Sequence, residues 1–597
     1  MTSKNFNSVL LNNFARHADS PALMFKDRGI YRTLTYNSLE EICIRVASGL
    51  MKTGLNQGDR IVIVSNNRPE WAYADLGSIL AGAIASAIYV SALSDEIEFI
   101  IRDLDASYVF VENEELLTKI TQIRDAIPTV RKVFVFAENY SSSDPWIAPF
   151  SQIMETGEKT TASVAKIRDI ADTIEGEDIM CIIYTSGTTG KPKGVVLTHN
   201  NYINTCEILL EHIGETEKLK RNLSFLPLAH AFERFAGHYL ILYMGKCIAY
   251  VEGLDKIMDN FREVKPNIVV SVPRFFENVH RRIIQGVESA MFIKRKLFFW
   301  ALDVGYAASC YIINNRSLPP TLQVKHALAD FLVFRKIRDA FGGELEFFAS
   351  GGAPLSKELA EFFYAMGILV LEGWGATEAT TPSTFNSPCE FRFGSVGKPL
   401  PRVRVRLGPD DELEVKGPNV FKEYWKNPEE TDKTFTPDGF YRTGDIGYID
   451  KDGWISIIDR KKQLIITSGG RNIAPAPIEQ LLANSRSIEM AYVHGDRQNY
   501  LTALLVVNQH DIHEAARKFG IDDIPWQQLV EHPRITQEIQ KEVDQVNKQL
   551  PQFMHVREIR IIPEPFSVEG REMTHTLKLK RKVIREKYRE LLDSMYA

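Results

Sequence analysis

The eleven residues YTSGTTGKPKG, 184 to 194, hold three glycines, four Ser or Thr hydroxyls and two lysines. This is the chemistry of a phosphate grip: glycines let backbone N–H groups approach an anion, hydroxyls add donors, and lysines add charge. Spacing separates the run from the nucleotide-hydrolase loop, which needs four residues between its first glycine and its Gly-Lys pair, followed by Ser or Thr. Here Gly187 and Gly190 enclose two residues, and Pro192 follows Lys191. Thr185, Ser186, Gly187, Thr188, Thr189, Gly190 and Lys191 are therefore candidate phosphate contacts of another kind. A flexible surface loop is the plainer reading.

Further clusters follow along the chain. LPLAHAFER (226 to 234) sets His230 among aromatic residues and an arginine, and ASGGAP (349 to 354) carries Gly351 and Gly352. EGWGATEAT (372 to 380) places Trp374 and Gly375 before Thr377 and Glu378. YRTGDIGYID (441 to 450) holds Asp445, and DRKKQLIITSGGRNIAPAPIE (459 to 479) holds Arg460, Lys462, Gly469 and Gly470. THTLKLKRK (574 to 582) brings Lys578 and Lys580 near the end. Taken singly, each has a plain structural reading: a satisfied structural histidine, a tight turn, a helix cap, a solvated Asp or Arg, a lysine-rich helix start.

The elements that must carry these residues alternate. Apolar runs such as Ile179 to Tyr184, RIVIVSNN (60 to 67), SYVFVENE (107 to 114), KVFVFAE (132 to 138) and NIVVSVP (267 to 273) read as buried strands between amphipathic helices. That alternation predicts layered α/β structure over the first 450 residues or so. Leu76 to Ser94 carries no charge over nearly the length of a membrane span, but Gly and Ser dilute it. It reads as a buried helix running into a buried strand near Ile88-Tyr89-Val90. Residues 281 to 345 depart from the alternation as a helix-rich, locally basic insertion. GYIDKDGWISIID (447 to 459) reads as a hairpin closing a large N-terminal body, 1 to 459. Residues 460 to 597 form a small C-terminal α+β domain with its own strands (MAYVHG, TALLVVN, REIRIIP) and one final amphipathic helix, LKRKVIREKYRELLDSMY.

A chain of 597 residues exceeds a single core, and 44% hydrophobic with 25% charged residues is ordinary for a soluble globular protein. A net charge of −6 gives no reason to expect nucleic acid. Six scattered cysteines without a Cys-x-x-Cys pair argue against a disulfide framework and a zinc site and fit a reducing cytoplasm. The first twenty residues have no secretory signal pattern. A hydrolase Gly-x-Ser-x-Gly elbow and a dinucleotide fingerprint are also missing.

In this order and at these distances, the clusters resemble the adenylate-forming (AMP-binding) superfamily of acyl-CoA synthetases, peptide-synthetase adenylation domains and luciferases. The resemblance spans nearly the whole chain. LPLAHAFER, the insertion containing LVFRKIRDAFGG (332 to 343) and TLKLKRK in place of the commoner Thr-Gly-Lys ending look like its long-chain fatty acyl-CoA synthetase branch.

The resemblance implies an α/β body with a small mobile C-terminal domain, ATP and CoA as co-substrates, Mg2+ and a long-chain fatty acid. A carboxylate is a poor electrophile, so it would first attack the α-phosphate of ATP with loss of pyrophosphate, and the CoA thiol would then displace AMP. In this scheme Thr185 to Gly194 grips the leaving pyrophosphate. Glu378 meets magnesium beside Thr377, whose hydroxyl reaches the α-phosphate. Trp374 stacks on adenine where relatives place tyrosine, and Gly351, Gly352 and Gly375 let the backbone approach the nucleotide. Asp445 accepts both ribose hydroxyls beside Arg460. His230 orients the acyl carboxylate. Lys578 serves adenylation, with Lys580 as its competitor, and Leu577 stands where the motif has glycine. Lys462 is the hinge, and Gly469 and Gly470 face the thioester step.

Two other readings stay open: an acyl-adenylate ligase loading a carrier protein, and a catalytically silent acyl or nucleotide binder. The basic aromatic stretch 294 to 300 reads first as a partly buried helix with a solvated face and second as a peripheral membrane contact.

Overall fold

The computed structural model describes residues 4–138, 140–185 and 191–596. Its internal contacts divide the chain into two compact units. One comprises Met1–Arg406, Glu414–Arg442 and Ile449–Ile455; the other comprises Leu407–Leu413, Thr443–Tyr448 and Ser456–Ala597.

The first unit is built on two sheets. An eight-stranded sheet takes the spatial order Glu423–Tyr424, Lys193–Thr198, Ile179–Thr185, Ile84–Ile88, Arg60–Val64, Tyr108–Val111, Lys132–Val135, Ile147–Pro149. From Ile179–Thr185 to Ile147–Pro149 its strands are parallel, whereas Lys193–Thr198 returns antiparallel with Thr185 opposite Lys193. These strands read as continuous Val/Ile runs because helices cover both faces of a parallel sheet. The 76 to 94 stretch resolves into the helix Pro69–Leu80, which has proline in its first turn, and the strand Ile84–Ile88. That strand starts four residues before Ile88-Tyr89-Val90, because Gly82 at φ +78 turns the chain directly into it.

A nine-stranded sheet is ordered Lys398–Pro399, Thr384–Phe385, Val370–Trp374, Phe347–Ser350, Ile268–Ser271, Arg221–Ser224, Cys247–Tyr250, Pro21–Asp27, Ile30–Thr35. The six strands from Val370–Trp374 to Pro21–Asp27 are parallel. Ser271, Ser350 and Glu372 share one register level, so the segments after these strands leave from the same sheet edge. Crevices at the carboxyl ends of such strands are where open α/β sheets bind ligands.

Behind this sheet, the helices Pro273–Glu288, Phe292–Ile312 and Pro320–Ala329 join one apolar core through Phe276, Phe298, Ala301, Leu302 and Ala329. Truncating a fully buried Phe in such a core costs about 3–5 kcal/mol. Among the described residues, no helix is long and apolar enough to cross a membrane, and the cysteines are unbridged.

The second unit packs Ile488–His494, Leu501–Val507 and Val556–Ile561 as a three-stranded mixed sheet. The helices Pro475–Ala483, Gln509–Phe519 and Pro533–Asn547 close its core through Ile478, Leu482, Ile512, Ile535 and Ile539. The C-terminal stretch differs from the single helix its periodicity predicts. It forms Arg581–Lys587 and Arg589–Ser594, broken at Tyr588 with φ −104 and ψ 23. Residues 579 and 580 are held outside the helix, because Lys580 N donates to Glu572 O at 2.7 Å and Met573 bridges to Leu579.

Candidate functional site

In the first unit, three segments leave the carboxyl edge of the nine-stranded sheet. The one after Arg221–Ser224 carries His230. Asn67 clamps it: Nδ2 donates to Ser224 Oγ (2.9 Å) and Leu226 O (2.7 Å), and Oδ1 accepts from Leu228 N (3.1 Å). Ser224 Oγ donates to Glu233 Oε1 at 2.6 Å. Phe232 N donates to His230 Nδ1 at 3.3 Å, which leaves the ring proton on Nε2.

The run then enters a π-helical turn, Glu233–Tyr239, with wholly buried charges. Burial pushes the Glu233 carboxyl up to about 8, against the pull of Ser224. Burial also works against the Asp75 carboxylate, yet Arg234, His238 and Tyr239 hold it below its ordinary range. Arg234 Nη2 lies 2.5 Å from Asp75 Oδ1, and Tyr239 OH donates to Asp75 Oδ2 at 2.8 Å. Isolated, any of these groups would be costly to bury; together they fix the segment.

The second segment follows Phe347–Ser350. Gly352 sits at φ +81, where a side chain is strained. A Cβ on Gly351 would lie 3.2 Å from the Phe232 ring, so the His-Ala-Phe and Ser-Gly-Gly segments are packed together.

The third segment follows Val370–Trp374. A Cβ on Gly375 would lie 3.0 Å from Pro382 Cα and 3.2 Å from Ser383 N, closer than most side chains pack, so the backbone after this strand is tightly folded on itself. Trp374 is largely buried, and its carbonyl accepts from Ser383 N at 2.8 Å. Glu372, two residues before the end of this strand, accepts from Leu355 N at 3.1 Å, and burial raises its carboxyl to about 8.

Thr377 and Glu378 lie in a single 3-10 turn. Glu378 O accepts from Phe421 N at 2.7 Å, and its Oε1 accepts from Tyr424 OH at 2.8 Å. Burial first, and then Glu378, raises the Tyr424 phenol, so it stays a donor. Lys193 lies 5.2 Å from the centre of the Tyr424 ring and pairs with Glu430. Thr185 ends its strand and Lys191 is exposed; Ser186, Gly187, Thr188, Thr189 and Gly190 lie outside the described residues.

The second unit gathers a separate group. Arg460 Nε is 2.7 Å from Asp445 Oδ1, and its Nη1 donates to Thr443 O at 3.2 Å. Asp445 is buried, and its amide donates to Thr443 Oγ1 at 3.1 Å. Glu412 takes Gly444 N at 3.0 Å and Lys461 Nζ at 3.2 Å, holding the Thr-Gly-Asp run from behind. Asp459 accepts from Arg460 N (2.6 Å) and Ala476 N (3.1 Å), tying this strand to the helix Pro475–Ala483.

Lys578 lies within electrostatic reach of both Arg460 and Asp445. Although the residue as a whole is exposed, protein crowding around its ammonium lowers the pKa to about 8, with Arg460 adding to the fall and Asp445 opposing it. The turn beneath it is closed by Thr574 N to Lys578 O (2.8 Å) and Leu577 N to Thr574 O (2.8 Å). Leu577 stands at φ +59, the left-handed conformation that glycine adopts freely. Lys580 instead precedes the helix Arg581–Lys587 as its N-terminal flank. Lys462 lies exposed in the 3-10 turn Lys461–Gln463, and Gly469 and Gly470 are exposed.

Each unit thus brings its own candidates together: His230, Gly351, Gly352, Trp374, Gly375, Thr377 and Glu378 in one, and Asp445, Arg460 and Lys578 in the other. Tyr424, Asn67, Glu233, Glu412 and Asp459 escaped the sequence reading. Tyr424, Asn67 and Glu412 act across 46, 159 and 32 positions, whereas Glu233 and Asp459 lie inside the runs LPLAHAFER and DRKKQLIITSGGRNIAPAPIE.

Among the described residues, no group of three or more His, Cys, Asp or Glu could hold a metal ion. One carboxylate such as Glu378 still fits a magnesium ion that arrives with ATP, because such an ion takes most of its ligands from phosphate and water.

Comparison with known proteins identifies the family. Residues 10–425 match the AMP-binding enzyme family, and residues 462–597 match the AMP-binding enzyme C-terminal domain. A long-chain-fatty-acid–CoA ligase of Mycobacterium bovis is 31% identical over 98% of this chain and 96% of its own length. The peroxisomal long chain acyl-CoA synthetase 7 of Arabidopsis thaliana is 31% identical over 95% and 82%. The solved anthranilate CoA ligase AuaEII, in complex with anthranoyl-AMP, shares the fold with a TM-score of 0.73 at 20% identity, covering 98% of each chain. With both family matches and full-length relatives of this kind, the chain belongs to the AMP-binding enzyme family, on its long-chain acyl-CoA synthetase branch.

Proposed function

We propose that this chain is an AMP-forming ligase that activates a long-chain fatty acid. In the first half-reaction a carboxylate oxygen attacks the α-phosphate of ATP, the bond to the β-phosphate breaks, and pyrophosphate leaves. In the second, the CoA thiol attacks the acyl carbonyl, its proton passes to base, and AMP leaves with the carboxylate oxygen. The observation that carries the reading is the grouping of Asp445, Arg460 and Lys578, a buried carboxylate and two cations suited to a ribose and a phosphate.

Within this reading Asp445 binds the ribose hydroxyls, and Arg460 and Lys578 neutralise the charge that grows on the α-phosphate. Thr185, Ser186, Gly187, Thr188, Thr189, Gly190 and Lys191 hold the pyrophosphate end. Thr377 and Glu378 meet the α-phosphate and the magnesium that accompanies ATP, with Tyr424 orienting the carboxylate. Trp374, Gly351, Gly352 and Gly375 take the adenine side, and His230 donates from Nε2 to the acyl carboxylate. Lys462 is the hinge that exchanges Lys578 for Gly469 and Gly470 between half-reactions. Peripheral contact with membranes, where such acids partition, completes the reading.

Fatty-acid-dependent exchange of labelled pyrophosphate into ATP tests the first half-reaction. The reading expects exchange with long-chain acids and none without acid. Release of ADP and phosphate would contradict it.

A further inference from the structure

The helices Phe292–Ile312 and Pro320–Ala329 carry an apolar surface that the fold leaves uncovered. Among the described residues, eighteen large hydrophobic side chains are exposed, and ten of them fall between Met291 and Phe331. Met291, Ile293, Val324 and Phe331 are 69%, 77%, 70% and 67% exposed. These are not loose ends, because the same helices bury Phe298, Ala301, Leu302 and Ala329 in the core behind the nine-stranded sheet. Pro320–Ala329 is apolar on two sides. Leu322 and Ala329 face the core, while Val324 and Leu328, continued by Phe331 in the π-helical turn Asp330–Phe334 that follows, are spaced by four and three and open to solvent.

Charge narrows what could cover this surface. Residues 291 to 331 hold five Lys or Arg against two Asp, in a chain whose net charge is −6. Lys294, Arg295 and Lys296 are consecutive and exposed, and Lys296 Nζ sits 4.5 Å over the Phe292 ring. Exposed apolar side chains interleaved with cations suit the boundary between acyl chains and phosphates, where the first are buried and the second meet negative charge. A second copy of the same surface would set its cations against like charges. No helix among the described residues is built to span a bilayer, so the contact is with its surface.

We propose that Met291 to Phe331 is a docking surface for an anionic lipid bilayer. The idea deepens the fatty acid reading, since a substrate that partitions into membranes gives such a surface its use; vesicle binding can be measured independently of catalysis.

The test is sedimentation of the full chain with phosphatidylcholine vesicles with and without phosphatidylglycerol. Two variants accompany it: Val324→Ser/Leu328→Ser/Phe331→Ser and Lys294→Glu/Lys296→Glu. The proposal expects partitioning that requires phosphatidylglycerol and weakens with added salt. It also expects a loss of at least about tenfold in each variant, with unchanged thermal melts and unchanged turnover of a short, water-soluble acid. Wild-type protein that stays in the supernatant, or variants that sediment like wild type, would overturn it. So would a wild-type dimer that the triple variant abolishes while vesicle binding persists. If the wild type binds vesicles but forms no acyl-CoA, the ligase reading fails while the docking surface stands.

Discussion

Arg460 Nε lies 2.7 Å from Asp445 Oδ1, and the same guanidinium donates to Thr443 O, so one arginine fixes both the carboxylate and the backbone that presents it. Because Asp445 is buried and paired with an exposed arginine, its carboxylate is held in place before any ligand arrives. Asp445→Asn should raise the KM for ATP by about tenfold or more, the loss of a charge-assisted hydrogen bond. Steady-state kinetics with ATP and 2′-deoxy-ATP check this: the wild type should discriminate against the deoxy nucleotide and the variant should not.

Lys578 gives adenylation a pH dependence of definite sign. Its pKa is lowered to about 8 by crowding and Arg460, so the ammonium is present below that pH and lost above it. Pyrophosphate exchange in the free enzyme should therefore fall as pH rises through about 8. Lys578→Arg should move that alkaline limb upward, since arginine stays charged. Lys578→Ala should cost on the order of 10²-fold in exchange, while hydrolysis or thiolysis of preformed acyl-adenylate is largely spared.

The turn that presents this lysine stores strain at Leu577. A left-handed conformation costs an L-residue roughly 1–2 kcal/mol relative to glycine. Leu577→Gly should keep the Tm at or above the wild-type value and retain exchange activity. Leu577→Ile, with branching at Cβ, should lower exchange without lowering the affinity for ATP. Calorimetry together with exchange kinetics separates the two effects.

Much of this was legible in the chain because the chemistry sits in contiguous motifs. His230, Thr377 with Glu378, Asp445 with Arg460, and Lys578 each lie in a short contiguous run, and it is the order and distance of these runs along the chain, not any one of them, that marks them out. The strands at Arg60–Val64, Tyr108–Val111, Lys132–Val135 and Ile268–Ser271 show as short apolar runs because both faces of their sheets are covered. What could not be read were supports supplied from a distance. Asn67 reaches Leu226 across 159 positions, and Tyr424 reaches Glu378 across 46, pairings that no local pattern encodes. The late helix start at Arg581 escaped for a related reason, since residues 579 and 580 are tied down by Met573 and Glu572.

Glu233 offers a test of the buried support under His230. With its carboxyl raised to about 8 by burial, it is mostly neutral at pH 7. An acid whose folded pKa exceeds its unfolded value favours the folded state at low pH, and that contribution is lost as pH rises from about 4.5 toward 8. Glu233→Gln imitates the neutral acid, so its Tm should match wild type near pH 5 and gain on it toward pH 8. Glu233→Ala should cost about 1–3 kcal/mol near pH 5 by stranding Ser224 Oγ, and that cost should shrink toward pH 8 as the wild type loses its own contribution. Thermal melts across that range check both.

The most direct measurement is a competition in which the protein meets ATP, magnesium and an equimolar ladder of short to very long fatty acids, with and without CoA, and products are read by mass spectrometry. The ligase account expects acyl-CoA made mainly from long chains, with AMP and pyrophosphate released and acyl-adenylate seen only when CoA is left out. Acyl-adenylate that accumulates with CoA present would contradict CoA as the acceptor and point to a carrier protein, and no product from any acid would contradict catalysis itself.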